Sequence, residues 1–140
     1  MIQINELRVG NNVKVTISND AGIYEVLGIP AWGMNGAGDG KEPVVMIDRC
    51  PKQLVAISKL KPIKLTPEIL EKCGFHKQNF AWVPEGHEDK YYMKWDFTIW
   101  DEGPGDYHYN SAEFPTPLKF LHQLQNLYFS LTDKELNYKP

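Results

Sequence analysis

The sequence has little cysteine, no long apolar run and no clustered metal ligands. Its two cysteines, Cys50 and Cys73, are too few for a disulfide framework, so we expect reduced thiols. No apolar run approaches the roughly 18 residues that a membrane-spanning helix needs. The opening residues MIQINELRVG have neither the basic region nor the apolar region of a secretory signal. These absences predict a soluble, cytoplasmic protein without a membrane partner.

The sequence also shows no residue spacing that is typical of a metal site or a nucleotide site. The histidines show no paired ligand spacing; they are His76, His87, His108 and His122. The glycine-rich stretch 33–41 ends in Gly-Lys, but Asn35 stands where a P-loop needs glycine. Glu42 stands where the hydroxyl that holds magnesium would be. We therefore expect no cofactor and no metal, and we interpret residues 30–43 as a long loop.

Short alternating segments dominate the first 65 residues. Residues 13–18 alternate between apolar and polar side chains, which is the period of a half-buried strand. Further strands are predicted over 24–29, 44–47 and 54–60, with a short edge piece over 62–65. Five short strands in this length predict an SH3-like β-barrel sub-domain over residues 1–65.

A short helix is predicted next, because both of its ends are specified. Thr66 is a good N-cap, Pro67 suits the first helical position, and Gly74 suits the left-handed residue that closes a helix. The apolar stripe of this helix consists of Ile69, Leu70 and Cys73.

An antiparallel meander and a closing helix complete the predicted fold. Residues 91–100 alternate strictly, which places Trp95 and Phe97 on the inward face. Strands over 80–83 and 107–109 flank this segment. A C-terminal helix over 118–131 should pack on the meander through Phe120, Leu121, Leu124, Leu127, Tyr128 and Leu131. The fold class is α+β, with residues 66–140 as a helix–meander–helix sub-domain that shares one core with the barrel.

Two segments resemble a family of small proteins from bacterial phages and prophages. Residues 60–75, LKPIKLTPEILEKCGF, are similar to the middle of that family, and residues 122–136, HQLQNLYFSLTDKEL, to its C-terminal signature. The opening ELRVGN at 6–11 is also similar, and the three segments together cover about a quarter of the chain. The resemblance implies a mobile-element protein that works inside a bacterial cell. It implies no activity, because none is established for the family.

Nucleophilic catalysis has weak support in the sequence. Cys73 falls near the C-terminal end of the predicted helix, where the helix dipole disfavours a thiolate. Cys50 has better electrostatics beside Arg49 and Lys52, but no activating base accompanies it. A carboxylate pair in the acidic turns is left open. We expect a protein that is not an enzyme.

The charges are arranged in two blocks. Residues 85–113 hold eight acidic and two basic residues, whereas residues 49–65 hold five basic residues and no acid. The basic residues are Arg49, Lys52, Lys59, Lys61 and Lys64. Their block could contact nucleic acid, but it has no aromatic residue on which bases could stack, and the whole chain is acidic. Weak nucleic-acid binding through a basic barrel face is therefore the alternative function.

The second side of the closing helix is the candidate site for a protein partner. It combines apolar and polar side chains: Leu118, His122, Gln125 and Phe129. Alternatively, the helix is covered on this side and His122 is a core residue. The leading hypothesis is a non-enzymatic, protein-binding accessory protein of a mobile genetic element whose partner is unidentified. Self-association is left open.

Overall fold

The computed structural model describes residues 2–17, 20–29, 42–48, 53–78, 81–84, 97–101, 103, 105–109 and 116–139. The chain divides into two compact units, Met1–Ile63 and Lys64–Pro140. This boundary lies two residues before the predicted one. Among the described residues, each unit contains a five-stranded antiparallel sheet, and the second unit adds two α-helices. The α+β class is thereby confirmed, while the shared core stays a prediction.

The first unit is a curled antiparallel sheet that forms a half-barrel. Its strands are β1 (Asn12–Ile17), β2 (Asp20–Gly28), β3 (Val44–Ile47), β4 (Gln53–Ala56) and β5 (Leu60–Lys61). They are ordered β4-β3-β2-β1-β5. An irregularity in register between Val26 and Gly28 marks β2, and such irregularities bend a strand. A 3-10 turn over Ile57–Lys59 carries the chain from one edge strand to the other and divides the strand predicted over 54–60.

Strand alternation builds the core of this unit. Val13 and Val15 are fully buried while Lys14 and Thr16 are exposed, as the sequence period predicts. On β2 the ring of Tyr24 lies so close over Gly22 that a Cβ there would be 2.7 Å from it. A larger residue at this position would have to displace the end of the Tyr24 ring, which is itself packed against the core.

The second unit begins with helix α1 (Pro67–Lys72). The Thr66 hydroxyl accepts a hydrogen bond from the Ile69 backbone N–H at 3.2 Å. Gly74 closes the helix with φ of 86°. Both ends agree with the sequence prediction, and Leu70 and Cys73 are buried as predicted.

The sheet of the second unit is a meander in the order β10-β9-β8-β7-β6. Its strands are β6 (Phe75–Gln78), β7 (Ala81–Pro84), β8 (Ile99–Asp101), β9 (Tyr107–Tyr109) and β10 (Thr116–Leu118). The sequence reading missed β6 and β10. The predicted strand over 91–100 is described only from residue 97 onward, so Trp95 lies outside the described residues.

Helix α2 (Leu121–Thr132) begins three residues later than predicted. Leu118 belongs to β10, and the Gln123 side chain accepts hydrogen bonds from the backbone N–H groups of Lys119 and Phe120 at 3.0 and 3.2 Å. These bonds cap the helix after the strand ends. Leu131, predicted to be inward, is 53% exposed.

An aromatic cluster joins α2 to residues of the meander. Phe97 is buried, and its ring centroid lies 4.9 Å from that of Tyr109, 5.1 Å from Tyr128 and 6.1 Å from Phe75. The contact with Tyr128 places α2 on this cluster, as predicted for the closing helix. In the part of the chain that the structure describes, no helix has the length and apolarity to cross a bilayer.

Candidate functional site

The side of α2 that was predicted to bind a partner is mostly interior. Leu118 is 2% exposed, His122 2% and Gln125 1%. The Gln125 amide donates a hydrogen bond to the Leu136 carbonyl at 3.1 Å. The His122 ring stacks on the Phe120 ring, with 5.8 Å between the ring centroids. This corrects the expectation of an exposed patch, because partners within the chain cover polar groups that the sequence pattern assigned to the surface. Of the four residues, only Phe129 keeps a partly exposed side chain.

The residues of the predicted basic block fall in two different units or lie outside the described residues. Lys59, Lys61 and Lys64 are exposed, but Lys64 belongs to the second unit and the other two to the first. Arg49 and Lys52 lie outside the described residues. The structure adds Lys14, which is exposed on β1 directly opposite Lys61 on β5. The alternation of residues 13–18 already marked Lys14 as outward, but its neighbour across the sheet is set by strand pairing.

The second unit contains a cleft that is lined entirely by described residues. It encloses about 380 Å³, and its lining includes Leu65, Pro67, Lys77, Asp101, Gly103 and Tyr107. Gly103 and Gly105, which follow β8, are both at positive φ. A Cβ at either glycine would meet no other atom within 4 Å, so neither position is crowded. We call this site the Asp101 cleft.

The Asp101 carboxylate is held by three donors. Its Oδ2 atom accepts a hydrogen bond from the Trp82 indole N–H at 3.1 Å and lies 3.4 Å from the Lys77 ammonium. Its Oδ1 atom accepts from the Gly103 backbone N–H at 3.1 Å. The Lys77 side chain is 51% exposed and that of Asp101 12%, so the cation lies at the rim and the carboxylate below it. The ammonium also lies 5.9 Å from the centre of the Trp82 ring.

Tyr107 forms the buried wall of the cleft and lies opposite Asp101 across β8 and β9. Burial, and secondarily the negative charge of Asp101, raise the pKa of the Tyr107 phenol. The phenol therefore stays protonated at neutral pH. With the carboxylate engaged by three donors and the phenol neutral, these two groups are poorly suited to act as base or nucleophile. The cleft supplies shape, apolar surface and one exposed cation.

The sequence reading did not identify this cleft. Asp101 was counted only as one acid in the block over 85–113, and Lys77 and Trp82 carried no motif. The turn glycines were visible, and Lys77 and Trp82 face each other in the hairpin of β6 and β7. Asp101 joins them only through the pairing of β7 with β8, which are distant in sequence.

No group of three or more metal-binding side chains occurs among the described residues. The chain matches no protein-family model, no curated protein and no solved structure. The arguments for function therefore rest on the geometry of the chain itself.

Proposed function

We propose that the chain is a non-enzymatic, protein-binding accessory protein of a mobile genetic element, and that a partner protein binds at the Asp101 cleft. The proposal rests mainly on the ion pair of the cleft, whose carboxylate lies below the rim and whose cation lies at the rim. Asp101 and Lys77 are paired at 3.4 Å, while the rest of the lining includes the apolar surfaces of Leu65, Pro67 and Tyr107. Such a site gains free energy by burying an apolar side chain and needs no further charge.

The partner chemistry follows from the shape and from the rim. A cleft of about 380 Å³ accommodates one or two apolar side chains of a partner segment. The half-exposed Lys77 ammonium uses only part of its donor capacity on Asp101, so a carboxylate or carbonyl oxygen beside the anchor can bind there. We expect a segment in which an apolar anchor is flanked by an acceptor.

The biological setting comes from the sequence resemblance. The segments at 60–75 and 122–136 support a protein of phage or prophage origin that acts in the bacterial cytoplasm. The first unit is proposed to be an SH3-like barrel, a finer assignment than the curled sheet. Its support is the strand order β4-β3-β2-β1-β5 and the 3-10 turn between β4 and β5.

The experiment is affinity capture from infected or lysogenic cells with a cleft-blocking variant and a matched control. Pro67 lies exposed on the cleft rim at the first position of α1, so P67W should fill the mouth without disturbing the core. Glu68 is exposed on the same helix, and E68W adds the same side chain beside the cleft. We expect quantitative mass spectrometry to recover one partner with the wild type and E68W and to lose it with P67W. Equal recovery with P67W and E68W would refute the Asp101 cleft as the binding site.

Weak nucleic-acid binding is the second candidate, and the pairing of Lys14 with Lys61 favours it. Like charges directly opposite each other across a sheet are destabilising, and a bound phosphate would relieve that repulsion. The test is binding of fluorescent duplex and single-stranded DNA at several salt concentrations, with K14E/K61E as the variant. The leading proposal expects no binding at physiological salt. Micromolar binding that weakens steeply with salt and is lost in K14E/K61E would favour the alternative.

A further inference from the structure

The two charged groups of the Asp101 cleft lie at different depths, and both have hydrogen-bonding capacity beyond their mutual contact. The Asp101 side chain below the rim is 12% exposed, whereas the Lys77 side chain at the rim is 51% exposed. A carboxylate accepts about four hydrogen bonds, and the Trp82 N–H, the Gly103 N–H and the Lys77 ammonium supply three. The ammonium has more donors than its contact with Asp101 uses. The cleft can therefore take one further donor at the carboxylate and offer donors at the ammonium.

The position of the carboxylate does not depend on the lysine. Trp82 is 2% exposed and Gly103 donates from its backbone, so two neutral donors hold the two carboxylate oxygens of Asp101. The Lys77 ammonium lies 3.4 Å away, which is longer than a well-formed charge-assisted hydrogen bond, and its side chain is half exposed. The ammonium can therefore turn toward a second anion while the carboxylate keeps its place.

We infer that the Asp101 cleft binds a free α-amino acid with an apolar side chain. The α-ammonium of the ligand donates to Asp101, and its α-carboxylate accepts from Lys77. Its side chain packs on the apolar part of the lining, which includes Leu65, Pro67 and Tyr107. The cleft volume of about 380 Å³ lies within the range of sites that bind small molecules. Binding needs no partner protein, although it takes place in the cleft that is proposed to hold a partner's apolar anchor.

Charge balance favours this zwitterion over the ends of a protein chain. Asp101 and Lys77 offset each other, and a zwitterion adds one charge of each sign, each beside its opposite. A protein N-terminus would add a cation without a carboxylate for Lys77. A protein C-terminus would add an anion without an ammonium for Asp101. Because a partly buried charge without an opposite partner costs more free energy than a paired one, the ligand with both charges fits this cleft best.

Four small molecules test this inference on the purified full chain at neutral pH. L-leucine has both charges and an apolar side chain. N-acetyl-L-leucine lacks the ammonium, L-leucinamide lacks the carboxylate, and glycine lacks the side chain. We expect the NMR signal of the Trp82 indole N–H, which contacts Asp101, to shift on titration with L-leucine. The dissociation constant should be below about 1 mM, and each of the other three compounds should bind at least about tenfold more weakly.

A matched pair of lysine variants completes the test. K77M removes the cation of the cleft, and K134M makes the same change at an exposed lysine that does not line it. K134M should match the wild type. K77M should bind L-leucine at least about tenfold more weakly and L-leucinamide at least about threefold more tightly, because Asp101 then lacks its own cation.

No binding of L-leucine by the wild type at about 10 mM would overturn the inference. Equal binding of L-leucine and any of the other three compounds, or unchanged binding of L-leucine by K77M, would also overturn it. Because these titrations contain no partner protein, a negative result here is distinguishable from a failure to capture a partner from cells.

Discussion

Removal of the Phe97 ring should be among the most destabilising single changes in the second unit. Phe97 is 6% exposed, and three aromatic rings lie within 6.1 Å of its centroid. Truncation of a buried phenylalanine to alanine costs about 3–5 kcal/mol through lost burial and the residual cavity. Aromatic pairs contribute about 0.5–1.5 kcal/mol each beyond burial, so the expected loss for F97A lies in the upper half of that range.

The assay is urea unfolding followed by circular dichroism at neutral pH. Leu131, which is 53% exposed, supplies the control, since L131A removes apolar atoms that are largely in water already. We expect a change of less than about 0.5–1 kcal/mol for L131A. A double-mutant cycle of F97A with Y128L should give a coupling of about 0.5–1.5 kcal/mol, because the two rings are 5.1 Å apart. A loss below about 1 kcal/mol for F97A would show that this ring does not join α2 to the cluster.

Three further changes test local features. G22A should lower the free energy of unfolding by about 1–3 kcal/mol, because a Cβ would lie 2.7 Å from the Tyr24 ring; an unchanged urea midpoint would contradict this packing. T66A should cost about 1 kcal/mol by removing the acceptor for the Ile69 N–H, while T66S should retain most of the stability in the same measurement. Burial raises the pKa of the Cys73 thiol from 9.0 to about 12. Because the folded state favours the neutral thiol, this contribution to the free energy of unfolding is complete below pH 9 and is lost as pH rises toward 12. C73A should flatten that alkaline decline in urea titrations, and an identical decline in C73A would refute it.

Local signals in the sequence account for the elements that were predicted correctly. The cap and the closing glycine of α1 act within a few residues of each other, so Thr66 and Gly74 could be assigned without knowing the rest of the fold. The strand over 44–47 coincides with β3, and the alternation around Val13 gives the correct inward and outward sides. In each case the determining interaction is short in sequence or repeats with the period of a strand.

Other elements depend on contacts that are distant in sequence. The strand β10 includes Pro117, which is tolerated because β10 is an edge strand that pairs only with β9 in the described sheet. That pairing ends at Leu118, so α2 begins later than its apolar pattern suggested. Periodicity alone could not separate the last strand residue from the first helical one, since an apolar residue suits both.

The sequence by itself determined the α+β class, the ends of α1 and the inward face of β1. Only the tertiary structure decided which polar groups are buried and which charges meet. Gln125 is interior because the segment after α2 brings the Leu136 carbonyl to its amide, and a buried amide with a hydrogen-bond partner loses little free energy. Asp101 becomes the centre of a cleft because strand pairing brings it to Trp82 and Lys77. The polarity of a residue indicates the free energy that its burial would cost. Whether that cost is offset depends on a hydrogen-bond or charge partner that lies far along the chain.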